Sequence, residues 1–255
     1  PCYEQLQSAL PRSDTVALDE TPTKELTNKM WLWTAVTKNF TLFRIADSRK
    51  ADVAKELLGE NFQGIASSDR YGGYDWIERR QLCWAHLLRD FQSMIDAGGK
   101  AKRIGRRLQR AGEEMFQHWH RYRDGKIKRS TMRRHISKLK RRVEKALQAG
   151  ATQLTGKPRG KCRHILKRFN SLWTFCDHAD VEPTNNVSER ALRHAVIWRK
   201  LSFGTQSESG SRFVETLLSI IETCRQQKRN VFAFVTATLE SHFENKQPPK
   251  LSFRV

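Results

Sequence analysis

"KMWLWTAVTKNFTLFRIAD", Lys29 to Asp47, is the stretch on which the fold turns. Two aromatic and β-branched runs meet at Lys38-Asn39, which is the pattern of a β-hairpin. Upstream, "DTVALDE" (Asp14 to Glu20) is a short apolar run ending in acids. Downstream, "RKADVAKELLGE" carries Val53, Ala54, Leu57 and Leu58 at helical spacing with Gly59 after them. "FQGIASSD" predicts another strand ending in an acid, Asp69. "RRQLCWAH" predicts a further strand running into the helix "LLRDFQSMIDAG". The expected order β-β-β-α-β-α-β-α describes an α/β mixed sheet, three antiparallel strands then parallel ones, flanked by helices.

From about Gly98 the pattern changes. Long Arg/Lys-rich helices keep sparse apolar positions (Ile104, Leu108, Met115, Trp119; Ile136, Leu139, Val143, Leu147), with breaks expected at Asp124-Gly125 and Gly150. This predicts a helical hairpin, read as an insertion into the sheet domain. After a loop, "LTGKPRGK", helices resume in "HILKRFNSLWTFCDHA", "SRFVETLLSIIETCRQQ" and a tail ending before Pro248. The expected division is residues 1–97 for the first part of the core, 98–170 for the basic helical insertion, and 171–255 for the helical completion of the core.

Charge supports that division. The chain of 255 residues holds 47 Lys and Arg against 27 Asp and Glu, a net +20. Lys100 to Asn170 alone holds 24 basic residues and 4 acids, so all of the excess belongs to this block and the remaining residues sum to zero. Such one-sidedness points to a polyanion, above all nucleic acid. Membrane binding is the weaker reading, because aromatic anchors in the block are few (Phe116, Trp119, Tyr122) and no apolar run approaches the ~20 residues of a spanning helix. Five scattered cysteines without a C-x-x-C suit reduced thiols in a cytosol. A chain that opens at Pro1 reads as part of something longer.

The acids supply the chemistry. Asp19 and Asp69 each end a predicted strand, and neighbouring strands would bring their carboxylates together at one sheet edge. Carboxylate pairs suit Mg²⁺, which takes oxygen ligands and keeps waters for substrate to replace. Two such ions can activate the attacking oxygen and stabilise the leaving oxygen of a phosphodiester. The third carboxylate is Glu189, the lone acid in the basic stretch "NNVSERALRHAVIWRK". A plainer role also fits it: with Asn186 as N-cap, Glu189 falls at N3 of a capping box. Glu20 would point to the opposite face of the strand from Asp19. Cys83 and His86 have the spacing that begins a zinc site, without a second pair to complete one.

"LDET" (Leu18 to Thr21), "SDRYGGY" (Ser68 to Tyr74), "CWAHLLRDF" (Cys83 to Phe91), "NNVSERALR" (Asn185 to Arg193), "WRKLSFGTQSESGSR" (Trp198 to Arg212) and "IIETCRQQKRNVFAFV" occur in that order. This ordered set resembles the transposases of the insertion sequence 66 family, across nearly the whole chain and least through the basic block. The resemblance implies a ribonuclease H-like fold with a DDE catalytic triad on Asp19, Asp69 and Glu189. It also implies two Mg²⁺ ions (Mn²⁺ as substitute), and strand cleavage and transfer on transposon ends and target DNA. Self-association in the active complex, no membrane partner, and a bacterial cytoplasmic, nucleoid-associated location complete what it implies. The zinc-binding and helix-turn-helix regions that usually precede such a core do not lie within these residues. Arg190, Arg193, Arg199, Lys200 and Arg212 are the expected DNA-binding cations. The loop "RKLSFGTQSESGSR" reads either as a holder of DNA backbone or as an ordinary connection. A non-catalytic DNA-binding derivative of the core and a stand-alone nuclease on the same fold stay open as alternatives.

Overall fold

A computed structural model describes residues 2–251, which divide into two packing units. The first comprises residues up to Arg80 together with those from Asn185 onward; the second is Gln81–Thr184. The basic block therefore lies within a larger helical unit, drawn by packing rather than by charge.

The first unit is built on a sheet ordered β3-β2-β1-β4-β5, with β1 Thr15–Glu25, β2 Asn28–Val36, β3 Thr41–Ala46, β4 Ile65–Ser68 and β5 Arg80–Leu82. β1 pairs antiparallel with β2, β2 antiparallel with β3, and β1 parallel with β4. The expected mixed sheet is present. Thr37 closes the predicted hairpin, its hydroxyl accepting from the Asn39 and Phe40 amides at 3.2 and 3.1 Å. Helix α1 (Cys2–Ala9), absent from the sequence reading, precedes the sheet, and α2 (Ala51–Leu58) follows the hairpin. Between β4 and β5 a helix was expected. A 3₁₀ turn at Gly72–Tyr74 stands there instead, because "RYGGYDWIE" gives too few residues and two glycines that disfavour helix.

Alternation along β1 separates two cores. Val16 and Leu18 join Trp33, Leu42, α1 and α2 on one face. Ala17 joins Leu32, Val36, Phe43 and Ile45 on the other, covered by Ala191, Leu192 and Ala195 of a helix near the end of the chain. β3 is the exposed edge in the strand order, and a following helix closes it. These helices are α8 (Asn186–Ser202) and α9 (Glu208–Gln226), with α10 (Val231–Phe243) after them.

On β3 every outward backbone group finds a side chain. The amides of Ile45, Phe43 and Thr41 donate to Glu215, to Ser219 Oγ (2.9 Å) and to Thr223 Oγ1 (3.1 Å). The carbonyls of the same residues accept from Arg212 (3.0 Å), Tyr3 (2.8 Å) and Thr223 (3.1 Å). Acceptors four residues apart on a helix rise ~6 Å, close to the ~6.8 Å between alternate strand residues, so one helix face serves the whole edge. An edge capped in this way cannot recruit another strand.

The second unit is helical: α3 (Trp84–Asp96), α4 (Gly99–Arg123), α5 (Arg129–Gln153), α6 (Gly156–Lys167) and the short α7 (Thr174–Asp177). Ile104, Leu108, Met115 and Trp119 of α4 and Ile136, Leu139, Val143 and Leu147 of α5 are buried, as their spacing predicts. The expected break at Gly150 is corrected. Gly150 is a buried residue inside α5, and a Cβ there would lie 2.4 Å from Cys162 Sγ. It is a contact glycine between two helices, not a turn. The predicted loop "LTGKPRGK" is corrected too: α6 begins at Gly156, and Pro158 sits in its first turn, where proline is tolerated. Gln81 ties the unit together, accepting from the Phe175 amide (2.9 Å) and donating to the Leu172 carbonyl (3.2 Å). All five cysteines are buried free thiols, and no helix among the described residues is long and apolar enough to cross a membrane.

Candidate active site

The parallel register of β1 and β4 runs Thr15↔Ile65, Val16↔Ala66, Ala17↔Ser67. Asp19 and Asp69 both stand two residues beyond the last of these pairs. Side chains alternate with period two, so the Asp19 side chain shares the face of Ala17, the face that α8 covers. Continued, the register brings the two aspartates side by side. Glu189 lies in the first turns of α8, the helix that covers that face.

The start of α8 is fixed by a tertiary bond. Asn185 Nδ2 donates to the Leu18 carbonyl at 2.7 Å, one residue before Asp19. Here the capping expectation is corrected. The N-cap is Asn185, not Asn186; its side chain makes no capping bond, and its Nδ2 is turned to β1. Glu189 is then one residue past the capping-box position, and its own amide donates to the Asn185 carbonyl at 3.3 Å. The buried Ser188 hydroxyl donates to the same carbonyl at 2.9 Å. Buried polar groups thus anchor the helix to the strand beside the acid.

Electrostatics reports the proximity. Burial first, then the charges of Glu20, Asp69 and Glu189, push the Asp19 carboxyl up to about 7, against the Glu20 amide that donates to its Oδ1 at 2.9 Å. Asp69 is half-buried, its Oδ1 accepting from the Tyr71 amide at 2.8 Å. The loop carrying it is held by Arg80, only 4% exposed, which donates to the Asp69 carbonyl and to Ser68 Oγ, both at 3.1 Å, and pairs with Asp75 at 2.8 Å. Directly opposite Asp19 in the β1–β2 register stands Thr34, whose buried hydroxyl has no hydrogen-bond partner. Asp19 and Asp69 are oxygen donors near an unsatisfied hydroxyl, a chemistry that suits a hard divalent cation and its waters.

Glu20, the next residue, faces the other way. Its carboxylate is buried against Arg49 (2.6 Å) and receives the Tyr74 hydroxyl. Arg49 stacks on the rings of Tyr71 (4.1 Å) and Trp31 (4.9 Å). This lock was not foreseen in the sequence; only the period-two argument excluded Glu20 from the acid cluster.

The predicted cations differ in their surroundings. Arg190, Arg193 and Lys200 are exposed on α8. Arg199 is half-buried and donates to Thr21 Oγ1 at 2.9 Å. Arg212 is committed internally, to Glu215 (2.9 Å) and to the Ile45 carbonyl. The loop after α8 is anchored, not free: Thr205 bridges to Glu25, and its amide donates to the Lys24 carbonyl at 3.0 Å. Cys83 and His86 lie at the N-cap and in the first turn of α3.

Comparison with known proteins agrees with the motifs. The family described as "Transposase IS66 family" matches residues 1–212. A curated relative from Sinorhizobium fredii (strain NBRC 101917 / NGR234), "Uncharacterized protein y4qI", is 26% identical over 245 residues, covering 84% of this chain and 44% of the relative. The chain thus spans less than half the length of that relative. No solved structure matches it. With a family match extending over most of its residues, the chain belongs to the IS66 family of transposases.

Proposed function

We propose that this chain is the catalytic core of a DNA transposase, ribonuclease H-like in fold, that cuts a strand at the ends of a mobile element and joins it to target DNA. The observation that supports this reading is that Asp19 and Asp69 continue one parallel register of the sheet, with α8, the helix that carries Glu189, packed over the Asp19 face.

These three carboxylates would hold two Mg²⁺ ions, with Mn²⁺ as a substitute. When bound, the ions supply a lowered water pKa and charge stabilisation at the attacking and leaving oxygens. The rest falls to the protein. Asp19, its carboxyl raised by burial and by neighbouring acids, would hold the cations as the carboxylate. Arg190 and Arg193, exposed beyond Glu189 on α8, meet the phosphates on either side of the reacting bond. Water attacks the phosphodiester at the element's end, a P–O bond breaks, and a 3′-hydroxyl is freed. That hydroxyl then attacks a target phosphodiester in line, forming a new P–O bond as the target's 3′-oxygen leaves. The basic helical hairpin of α4 and α5 grips DNA backbone, and self-association would bring two ends together.

The test is strand joining with pre-cut 3′-hydroxyl ends. Asp19→Asn, Asp69→Asn and Glu189→Gln are expected to abolish joining while thermal melting and DNA affinity stay near wild type. Full joining by any of the three sinks the assignment. Cleavage without joining would indicate a nuclease, and DNA binding without Mn²⁺ uptake a non-catalytic derivative.

A further inference from the structure

Further along the same face of β1 lies a cavity of about 490 Å³, within the range of ligand sites. Thr23, Lys24 and Lys29 line it from the β1–β2 hairpin, and Arg199, Lys200 and Phe203 from the end of α8. Two features point to an occupant. The rim carries four cations and no acid, and none of the four forms an ion pair with a carboxylate among the described residues. Phe203 is 81% exposed, an unusual place for a large apolar ring. Unpaired cations around an exposed ring suit a ligand that joins anionic groups to a flat, partly apolar body.

The walls are rigid. Gly204 has φ +100°, and a Cβ there would lie 2.4 Å from the Lys24 carbonyl, so only glycine lets the loop close on β1. The Thr205 amide then donates to that carbonyl, and the Leu26 amide donates to the Thr205 carbonyl at 2.8 Å.

Position supplies the rest. Asp19, Thr21 and Thr23 alternate onto one face of β1, and Arg199 binds Thr21. From Asp19 to Thr23 the strand advances ~13 Å, and from Glu189 to Arg199 the helix advances ~15 Å. The two elements therefore run together from the carboxylates to the cavity. At ~3.4 Å per nucleotide, that span is about four steps along a DNA strand.

We propose that this cavity takes one unstacked nucleobase of a DNA strand whose scissile phosphate lies at the carboxylates. The base stacks on Phe203, and Lys24, Lys29, Arg199 and Lys200 hold the flanking phosphates. This deepens the transposase reading and rests on it for the direction of the strand.

The experiment compares binding of the full chain, in metal-free buffer, to a fluorescein-labelled 15-mer oligothymidylate and to an abasic deoxyribose-phosphate strand of equal length. The electrostatic part is common to both. Wild type is expected to prefer the base-bearing strand by about fivefold or more. Phe203→Ala should erase the preference and leave abasic affinity unchanged, and Phe203→Trp should keep it. Equal binding of both strands by wild type, or an intact preference in Phe203→Ala, overturns the pocket and leaves the carboxylate reading standing. Failure to bind either strand overturns both.

Discussion

Asp19 and Glu20 are consecutive acids on one strand, and they live in opposite worlds. Glu20 faces the core shared with α1 and α2, where Arg49 and Tyr74 satisfy it. Asp19 faces α8, among other carboxylates, with a bare threonine hydroxyl opposite. Both carboxyls are raised, with burial as the largest cause, but only Glu20 is hydrogen-bonded by a cation. A structural acid is recognised by partners that already neutralise it, and a working acid by the want of them.

The contrast can be broken by substitution. Asp19→Asn is expected to cost about a thousandfold or more in strand joining (~4 kcal/mol), whereas Glu20→Ala should leave joining per folded molecule nearly intact. Glu20→Ala should instead lower stability by about 1–3 kcal/mol in thermal unfolding, below the figure for a fully buried pair because Arg49 is 38% exposed. Equal loss of joining in both variants would dissolve the distinction.

Protons should compete with cations at Asp19. With its carboxyl at about 7, Mn²⁺ affinity read by calorimetry should fall about tenfold from pH 8 to pH 6. In Asp19→Asn that dependence should vanish. A pH-independent affinity in the wild type would remove Asp19 from the ligand set.

The smallest effect concerns Glu215, lifted from 4.5 to about 7 by burial against the opposing pull of the Ile45 amide, Arg212 and Arg44. A carboxyl raised in the folded state contributes stability that is complete below about 4.5 and is lost as pH rises towards 7. Glu215→Gln keeps an acceptor for Ile45 without the titration. The melting temperature of wild type relative to this variant should therefore fall between pH 5 and pH 8; a constant difference would show that Glu215 does not titrate there.

Much of the architecture was legible because it is local. The Trp31–Val36 and Thr41–Ala46 strands follow from aromatic and β-branched runs, and α4 and α5 from apolar spacing. The acids drew notice by ending strands or interrupting a basic helix. Boundaries failed where a residue has two uses. Gly150 read as a break because glycine usually is one, and its contact with Cys162 is invisible without α6. Asn185 read as a neighbour of the cap because nothing local announces a bond to Leu18, 167 residues away in sequence.

The sequence by itself determined the alternation of β1, and with it that Asp19 and Glu20 must part company, because backbone geometry sends successive side chains to opposite faces. It likewise determined the sign and address of the charge, since that is a sum over residues. Only the tertiary structure decided which acids keep company, that Glu215, Ser219 and Thr223 serve a strand edge, and that four cations gather around Phe203. Those relations join residues far apart in the chain, and they arise when buried polar groups are satisfied, or left unsatisfied, by whatever packs against them.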